Sequence, residues 1–537
     1  MRAAGYRRER WRRRVGPTVG VPTRVTGLLL VSLATLMMLA LPGSSAVLAQ
    51  APDTRLVDAV RHHDVDAVRL LLAELVGVDR DIGVSQRQAD GATALHWAVY
   101  HDDLAATALL VSAGADTGAA NDHGVTPLSL ACDNAHGAMV EVLLAAGADA
   151  DAAVTTGETV LMTCARTGSA LAVRALLSAG ANVNGRETAD NQTALMWAVA
   201  QGHPEVVRLL LEQGADVAAR SRVRRQVISR RLQSELKYGE LGRSYGTDAE
   251  ETDAGGFTPL LFAARWGEVE SAHYLLAAGA DANDVGPDGA SALLIAVHSG
   301  HRDLARLLLE RDANPNASAA GYTPLHAAVL TGDLPTVEML LQLGGRPNAQ
   351  VTLATKVTRN GQVLMLGEHL LGATPLALAA KFAEVDIMAV LAGAGGDPTL
   401  PLKNGWTPLM LAAGASWRYG VWDRRDRAIA KHPVFRAEHF DGAAALAAVT
   451  LAAELGVAVD ADVVAAVDAD GNTALHHAVD KGFDPVVEFL VRNGALIDAR
   501  NSRGQTALAI VARARSGNTA AAPMTAALLR TLGATTP

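Results

Sequence analysis

The sequence predicts an all-α protein built as a solenoid of stacked helix-turn-helix units. The first observation is composition: half of the 537 residues are hydrophobic but only 4% are aromatic, and the apolar residues are mainly Ala, Leu and Val. Such residues suit many thin, closely packed helices, whereas strands would require more β-branched and aromatic side chains. The second observation is a short phrase around Thr and Leu that recurs along the chain with a fixed period.

The first 49 residues differ in composition from the rest of the chain. A basic cluster at 7–14 precedes an apolar run of 14 residues at 28–41, and small residues follow as far as Ala49. This order predicts a secretory signal peptide cleaved after Ala49, and therefore an exported protein, secreted or periplasmic. The apolar run is short for a membrane span, which needs about 20 residues. An N-terminal membrane anchor that is not cleaved is the alternative.

The charge excludes some classes of partner. The leader holds eight Arg and one Glu, so the net charge of −9 for the whole chain becomes −16 after Ala49. A body this acidic repels nucleic acid and anionic membranes, because affinity for either depends on Lys and Arg. We therefore expect no nucleic-acid partner, and membrane contact only through the N-terminal segment or a basic insertion.

The recurring phrase defines a repeat of about 33 residues. Most intervals between successive hydroxyl residues of the phrase are 32–34 residues, and the three longer intervals of 65, 51 and 66 indicate a repeat plus an insertion. A unit of 33 residues cannot bury its apolar face alone, so the units are expected to stack. The hydroxyl residues are Thr93, Thr126, Thr159, Thr193, Thr258, Ser291, Thr323, Thr374, Thr407, Thr473 and Thr506.

The phrase resembles the ankyrin repeat over nearly all of the chain from Asp53 onward. It reads HGVTPLSLA from His123, GYTPLHAA from Gly321 and GWTPLMLAA from Gly405, although several copies lack the proline. The resemblance implies a solenoid of about twelve repeats with hairpin-like loops and degenerate first and last repeats. It also implies that three histidines tie each repeat to the next by hydrogen bonds: His96, His326 and His476.

The residue types also make physical sense without the family. Thr before Pro supplies a helix cap followed by a ring that needs no N–H at the first helical position. The repeats and insertions divide the chain as follows: 1–49 signal peptide, 50–218 repeats, 219–254 basic insertion, 255–349 repeats, 350–371 second insertion, and 372–537 repeats interrupted by a third insertion at 416–440.

Each insertion carries its own prediction. In the first, Val223, Val227, Leu232 and Leu236 form a stripe at helical spacing edged by arginines, which predicts a basic amphipathic helix for an acidic partner or a membrane surface. Self-docking of these arginines on the protein's own acidic loops is the alternative. The second contains Asn360-Gly361, the signal of a β-hairpin. The third interrupts a repeat between its two helices.

The sequence offers no catalytic motif, and we expect no metal, no cofactor and no enzymatic activity. Adjacent histidines do not share a helix face, and no P-loop or nucleophile elbow is present. Cys132 and Cys164 fall on small buried positions of adjacent repeats. Because stacked helices lie about 8–10 Å apart and a disulfide needs Cα atoms within about 7 Å, we expect them to be unpaired. Trp97 and Trp197 are expected to pack between repeats instead of lining a ligand pocket.

The function that follows is a non-catalytic scaffold for protein–protein interaction, expected to be monomeric. An enzyme site assembled from insertions, with His432 and Asp423 in the third, is one alternative, and envelope attachment through the basic insertion is another. The resemblance implies that partners bind the loop tips and the exposed ends of the inner helices, although each side chain there could instead cover a neighbouring repeat. Together with the insertions, this gives the partner-binding candidates Tyr100, Phe257, Arg265, Trp266, Tyr322, Trp406, Trp417, Tyr419, Trp422, Arg224, Arg225, Arg230 and Arg231.

Overall fold

The structure is a computed structural model that describes residues 54–75, 83–229, 249–359, 362–415, 442–458, 462–513 and 521–535. The chain divides into Met1–Ala51, which lies outside these ranges, and Pro52–Pro537, which contains all of them. The predicted signal peptide is therefore not described, and it stays a prediction.

The described residues form twenty-four α-helices in twelve consecutive pairs, and two β-hairpins. The odd-numbered helix of each pair is called its first helix, and the even-numbered helix its second. The helices are α1 (Arg55–Arg61), α2 (Val65–Glu74), α3 (Ala94–Tyr100), α4 (Leu104–Ser112), α5 (Pro127–Asp133), α6 (Gly137–Ala145), α7 (Val160–Thr167), α8 (Ala170–Ser178), α9 (Ala194–Ala200), α10 (Pro204–Glu212), α11 (Pro259–Trp266), α12 (Val269–Ala277), α13 (Ala292–Ser299), α14 (Arg302–Leu309), α15 (Pro324–Thr331), α16 (Leu334–Gln342), α17 (Pro375–Lys381), α18 (Val385–Gly393), α19 (Pro408–Ala412), α20 (Gly442–Ala458), α21 (Ala474–Lys481), α22 (Asp484–Arg492), α23 (Ala507–Arg513) and α24 (Ala521–Thr531). The strands are β1 (Val223–Ser229), β2 (Ala249–Gly255), β3 (Thr355–Arg359) and β4 (Gln362–Leu366).

The pairs stack on one another, as predicted for an all-α solenoid. The first helix α7 contacts the first helices α5 and α9, and the second helix α8 contacts α6 and α10. First helices approach closely because each carries a fully buried small residue at the contact, such as Ala98, Ala131 or Ala198. One continuous core therefore runs through the stack. The number of repeats stays a prediction, because the helix pairs alone do not decide which units match the family pattern.

Histidines link neighbouring repeats as the resemblance implied. The Thr323 N–H donates to His326 Nδ1 (3.2 Å), and His326 Nε2 donates to the carbonyl of Ala373 in the next repeat (3.1 Å). His96 and His476 make the same pair of bonds. Burial lowers the pKa of His326 to about 4, against a weaker opposing effect of its bond to Ala373, so the ring is neutral at pH 7.

Asparagine side chains add a second set of links on another side of the stack. Asn184 Nδ2 donates to the Gly214 carbonyl (3.1 Å), and Asn184 Oδ1 accepts from the Asp216 N–H (2.8 Å). Asn348 makes the same two bonds with Gly395 and Asp397, both at 2.8 Å, across the second insertion. The repeats on either side of that insertion therefore stack directly, and the insertion projects from the stack.

The first insertion begins and ends as a β-hairpin, so the prediction of an amphipathic helix from Val223 and Val227 is wrong. β1 pairs antiparallel with β2, and Val223 lies opposite Gly255. The helical spacing of four apolar residues did not reveal the second strand, because that strand follows only at 249–255. Arginines of β1 lie opposite acidic residues of β2, as Arg225 lies opposite Asp253, and this favours the pairing. Residues 230–248 are not described.

The predictions for the other two insertions are confirmed. β3 pairs antiparallel with β4, with Arg359 opposite Gln362, so the strands flank Asn360-Gly361 as the turn signal predicted. Helix α20 packs against its partner α19 and against the second helices α18 and α22. The third insertion therefore separates the two helices of one pair. Residues 416–441 themselves lie outside the described residues, and so do the candidates Trp417, Tyr419 and Trp422.

Cys132 in α5 and Cys164 in α7 form a disulfide, with Cα atoms 4.6 Å apart, so the expectation of two unpaired cysteines is wrong. That expectation compared the distance between helix axes with a distance between Cα atoms. Helices whose axes lie about 8–10 Å apart bring facing Cα atoms to about 3.4–5.4 Å, because each Cα lies about 2.3 Å from its own axis. A small residue at this contact therefore places a pair of cysteines within bonding distance.

Candidate functional site

The first helices present a row of half-exposed apolar side chains, each four residues after the hydroxyl residue that precedes its helix. We call this the first-helix row: Trp97, Leu130, Trp197, Phe262 and Ile295. The short repeat period places these side chains in neighbouring repeats. Large apolar side chains aligned and half exposed in this way suit contact with another protein.

The two tryptophans of the row have different polar surroundings. Trp97 Nε1 donates to Gln88 Oε1 (2.9 Å), and the guanidinium of Arg61 lies 4.7 Å from the centre of its ring. Trp197 lies beneath Arg166, whose guanidinium is 5.7 Å from the ring centre, and its Nε1 is buried without a hydrogen-bond partner. Both indoles pack against the core, as predicted, and each presents part of its ring beside a cation.

Acidic side chains surround Arg166 on this surface. Its Nη2 lies 2.6 Å from Asp133 Oδ1 and 3.6 Å from Glu158 Oε1, and Thr163 Oγ1 donates to the same Glu158 oxygen (3.0 Å). One cation shared by two carboxylates leaves the group with a net negative charge. This part of the row therefore favours a neutral or basic partner surface over an acidic one.

Three predicted candidates are exposed at the ends of first helices. Tyr100 ends α3 with 41% of its surface exposed, and Trp266 ends α11 with 54% exposed. The guanidinium of Arg265 lies 5.9 Å from the Trp266 ring. Aromatic and arginine side chains with this exposure are those that dominate binding energies at interfaces.

Tyr322 is the candidate that the structure corrects. It is only 4% exposed, and burial, reinforced by the charge of Asp288, raises its pKa. It lies in the core and not on the surface, so it cannot offer a partner more than its edge. The residue that precedes the capping Thr is half buried in two other repeats, at Phe257 and Trp406, so the position alone does not determine exposure.

Phe257 and Trp406 are engaged within the protein. The Phe257 ring meets Phe262 edge to face at 5.8 Å between centroids. Trp406 Nε1 donates to Asp468 Oδ2 (3.2 Å). Both rings are half buried against the core, which agrees with the alternative that they cover a neighbouring repeat.

The described arginines of the first insertion pair with the protein's own carboxylates. Arg224 Nη2 lies 2.6 Å from Asp190 Oδ1 in the preceding loop, and Arg225 Nε lies 3.9 Å from Asp253 Oδ1 on the opposite strand. These contacts agree with self-docking and not with a free basic surface for a membrane. Arg230 and Arg231 lie outside the described residues.

Sequence reasoning missed a carboxylate–imidazole pair between the last loops. Asp468 Oδ2 lies 3.0 Å from His477 Nε2, and Asp468 also accepts from the backbone N–H of Asp470 (2.9 Å) and Asn472 (2.7 Å). Burial opposes ionisation, but the bonds from His477 and Asn472 lower the pKa of Asp468 to about 2. An imidazole held by a carboxylate can act as a base. Here the carboxylate also closes the loop and binds Trp406, which indicates a structural role.

A second missed feature lies where the second helices begin. His203 Nε2 donates to the Arg166 carbonyl (3.1 Å), and His301 Nε2 donates to the Arg265 carbonyl (3.3 Å). Glu268 occupies the same position in the repeat between them. The signal in the sequence is the acidic residue in a position that its neighbours fill with histidine.

Two searches over the described residues return negative findings. No group of three or more His, Cys, Asp or Glu side chains could hold a metal ion within the ranges that the structure covers. Among the same residues, no helix is both long enough and apolar enough to cross a membrane.

Comparisons with known proteins match the repeat pattern. A family model described as ankyrin repeats (3 copies) matches residues 56–154, 146–221 and 260–351, and a model of the single ankyrin repeat matches 470–502. Together these matches cover more than half of the chain. Among solved structures, the crystal structure of the human ASB11 ankyrin repeat domain is 25% identical, with a TM-score of 0.37, and the match covers 48% of this chain and 98% of that one. No curated protein matches the chain.

Proposed function

The chain belongs to the ankyrin-repeat family, and from that premise we propose that it is an exported, non-catalytic scaffold that binds a protein partner through its first helices. Ankyrin repeats are generally modules for protein–protein interaction. The observation that carries the proposal is the first-helix row, where large apolar side chains of successive repeats are aligned and half exposed. A partner that covers these side chains removes apolar surface from water, which is the main favourable term in most protein association.

Two features support export. The basic and apolar leader has the order of a secretory signal. The Cys132–Cys164 disulfide belongs to an oxidising compartment, because cytosolic proteins are kept reduced. Fractionation and N-terminal sequencing test this part. We expect a mature protein that begins at Gln50 outside the cytoplasm, and an intact leader retained in the membrane would overturn cleavage.

Capture of partners by surface variants tests the binding surface. Leu130→Glu with Ile295→Glu places two charges in the first-helix row, whereas Leu171→Glu places a charge on an exposed side chain of the second helix α8. We expect the double variant to lose the partner that the mature protein retains from the envelope fraction, and the α8 variant to retain it. Equal capture by both variants would mean that the first helices do not form the binding surface.

A further inference from the structure

The second helices begin with a recurring link to the preceding repeat. At α10, His203 Nε2 donates to the carbonyl of Arg166, which is the last residue but one of α7. At α14, His301 Nε2 donates to the carbonyl of Arg265, which is the last residue but one of α11. In both places a side-chain donor satisfies a carbonyl that the end of a helix leaves without a partner.

The repeat between these two lacks the donor. Glu268 stands where its neighbours have histidine, and the carbonyl equivalent to those of Arg166 and Arg265 is that of Ala200. The residue four positions after Ala200 is Pro204, which has no N–H to donate. An ionised carboxylate only accepts hydrogen bonds. Two acceptors therefore occupy a position where the adjacent repeats have a donor and an acceptor.

The Glu268 carboxylate is held close to this carbonyl and has no ion-pair partner. Its Oε1 lies 2.9 Å from the position that a Cβ would take on Gly202, two residues after Ala200, so the glycine leaves room for the carboxylate. Within the described ranges Glu268 makes no hydrogen bond and no salt bridge, and it does not cap its own helix. Burial raises its pKa, against the opposing charges of His203 and His301.

The adjacent surface suits the apolar stem of a basic side chain. Trp266 is the most exposed aromatic residue of the part of the chain that the structure describes, and Val269, at the start of α12, is 38% exposed. Both flank Glu268 on the turn between α11 and α12. An indole beside an unpaired carboxylate attracts a cation by its ring quadrupole and by charge.

We infer that this turn receives a lysine or arginine side chain of the protein partner. The N–H groups of that side chain donate to the Glu268 carboxylate and the Ala200 carbonyl, and its methylene stem lies against Trp266. Charge complementarity favours this occupant over an acidic one, because the carboxylate has no cation of its own and the chain after Ala49 carries a net charge of −16. The inference rests on the proposed function and assigns the partner's chemistry at one position.

The first test measures stability without any partner. Glu268→His and Glu268→Gln each supply an N–H donor that can reach the Ala200 carbonyl, as His203 and His301 do in the neighbouring repeats. At pH 8, where imidazole is neutral, we expect both variants to raise the thermal midpoint by about 2 °C. Glu270→Gln is the matched control, because it removes the same charge from an exposed side chain two residues away. A lower midpoint for both Glu268 variants would overturn the inference.

The second test uses peptides of defined sequence as the probe. A phage library of random 12-residue peptides is selected on the mature protein, and the best peptide is synthesised with each lysine or arginine also replaced by norleucine. We expect a basic residue to recur among the selected peptides. Affinity should fall at least tenfold for Glu268→His, for Glu268→Gln and for one norleucine peptide, and should be unchanged for Glu270→Gln.

The outcomes separate this inference from the proposed function. Peptides that bind the Glu268 variants as tightly as the unaltered protein, but fail to bind the Leu130→Glu, Ile295→Glu variant, would overturn the basic-side-chain site and leave the first-helix surface intact. Selected peptides without lysine or arginine would overturn the site as well. A selection that yields no binding peptide would count against both.

Discussion

Replacing Cys132 by Val and Cys164 by Ala should loosen the stack locally without disturbing its packing. Neighbouring repeats carry Val and Ala at the equivalent positions, for example Val99 and Ala131, so the new side chains fit the contact. The two cysteines are separated by 32 residues. Closing a loop of this length removes chain entropy from the opened state that corresponds to about 3.7 kcal/mol. Without the bond, opening of α5 and α7 should become about 500-fold more frequent.

Hydrogen exchange followed by mass spectrometry measures this opening region by region. Amides of α5 and α7 should exchange faster in the double variant, and the remote helices α21 and α22 serve as an internal control that should be unaffected. Alkylation of the unaltered protein, denatured without reductant, should label neither cysteine. Equal exchange in both proteins, or two labelled thiols per chain, would refute the reasoning.

Three further predictions concern residues in other parts of the stack. Because burial lowers the pKa of His326 from 6.5 to about 4, the unfolded state binds more protons between these values; the free energy of unfolding should fall by about 3 kcal/mol as pH drops from 7 to 4, and this part should be absent from His326→Gln in urea titrations at each pH. Trp97→Phe loses a hydrogen bond, whereas Trp197→Phe removes an N–H that has no partner, so the Trp97 variant should be less stable by about 1 kcal/mol in urea unfolding, and the reverse order would contradict the assignment. Deleting Arg222–Asp253 restores a spacing of 33 residues between the flanking repeats and should cost at most about 1–2 kcal/mol in thermal melts, whereas a collapsed melt would show that the hairpin belongs to the core.

The features that were predictable from the sequence are those set within one repeat or a single turn. The capping Thr, the small residue of each first helix and the period of 33 residues fix the helix pairs and their stacking. The hairpin at Asn360-Gly361 was predictable for the same reason, since two adjacent residues determine the turn. The His326 link was also predictable, because its partner lies at a fixed place in the next repeat.

The features that were not predictable depend on contacts across longer distances. The pairing of β1 with β2 joins residues 223–229 to residues 249–255, and no local pattern reveals it. Tyr322 and Trp406 occupy the same position of their repeats, yet only Tyr322 is fully buried, because the neighbouring loops differ. Glu268 became informative only when the bonds of the histidines in adjacent repeats were known, since a carboxylate at a helix start is common in itself.

The asparagine links have a consequence for a chain that emerges from a translocation pore with its N-terminus first. Asn184 bonds to a residue only 30 positions further along the chain, so each new repeat finds its partner as soon as it has left the pore. Even across the second insertion, the bond from Asn348 spans only 47 residues. Each finished repeat can therefore template the next, and contacts of such short range form quickly. Folding would proceed in one direction, at the pace of threading, and would not wait for the C-terminus.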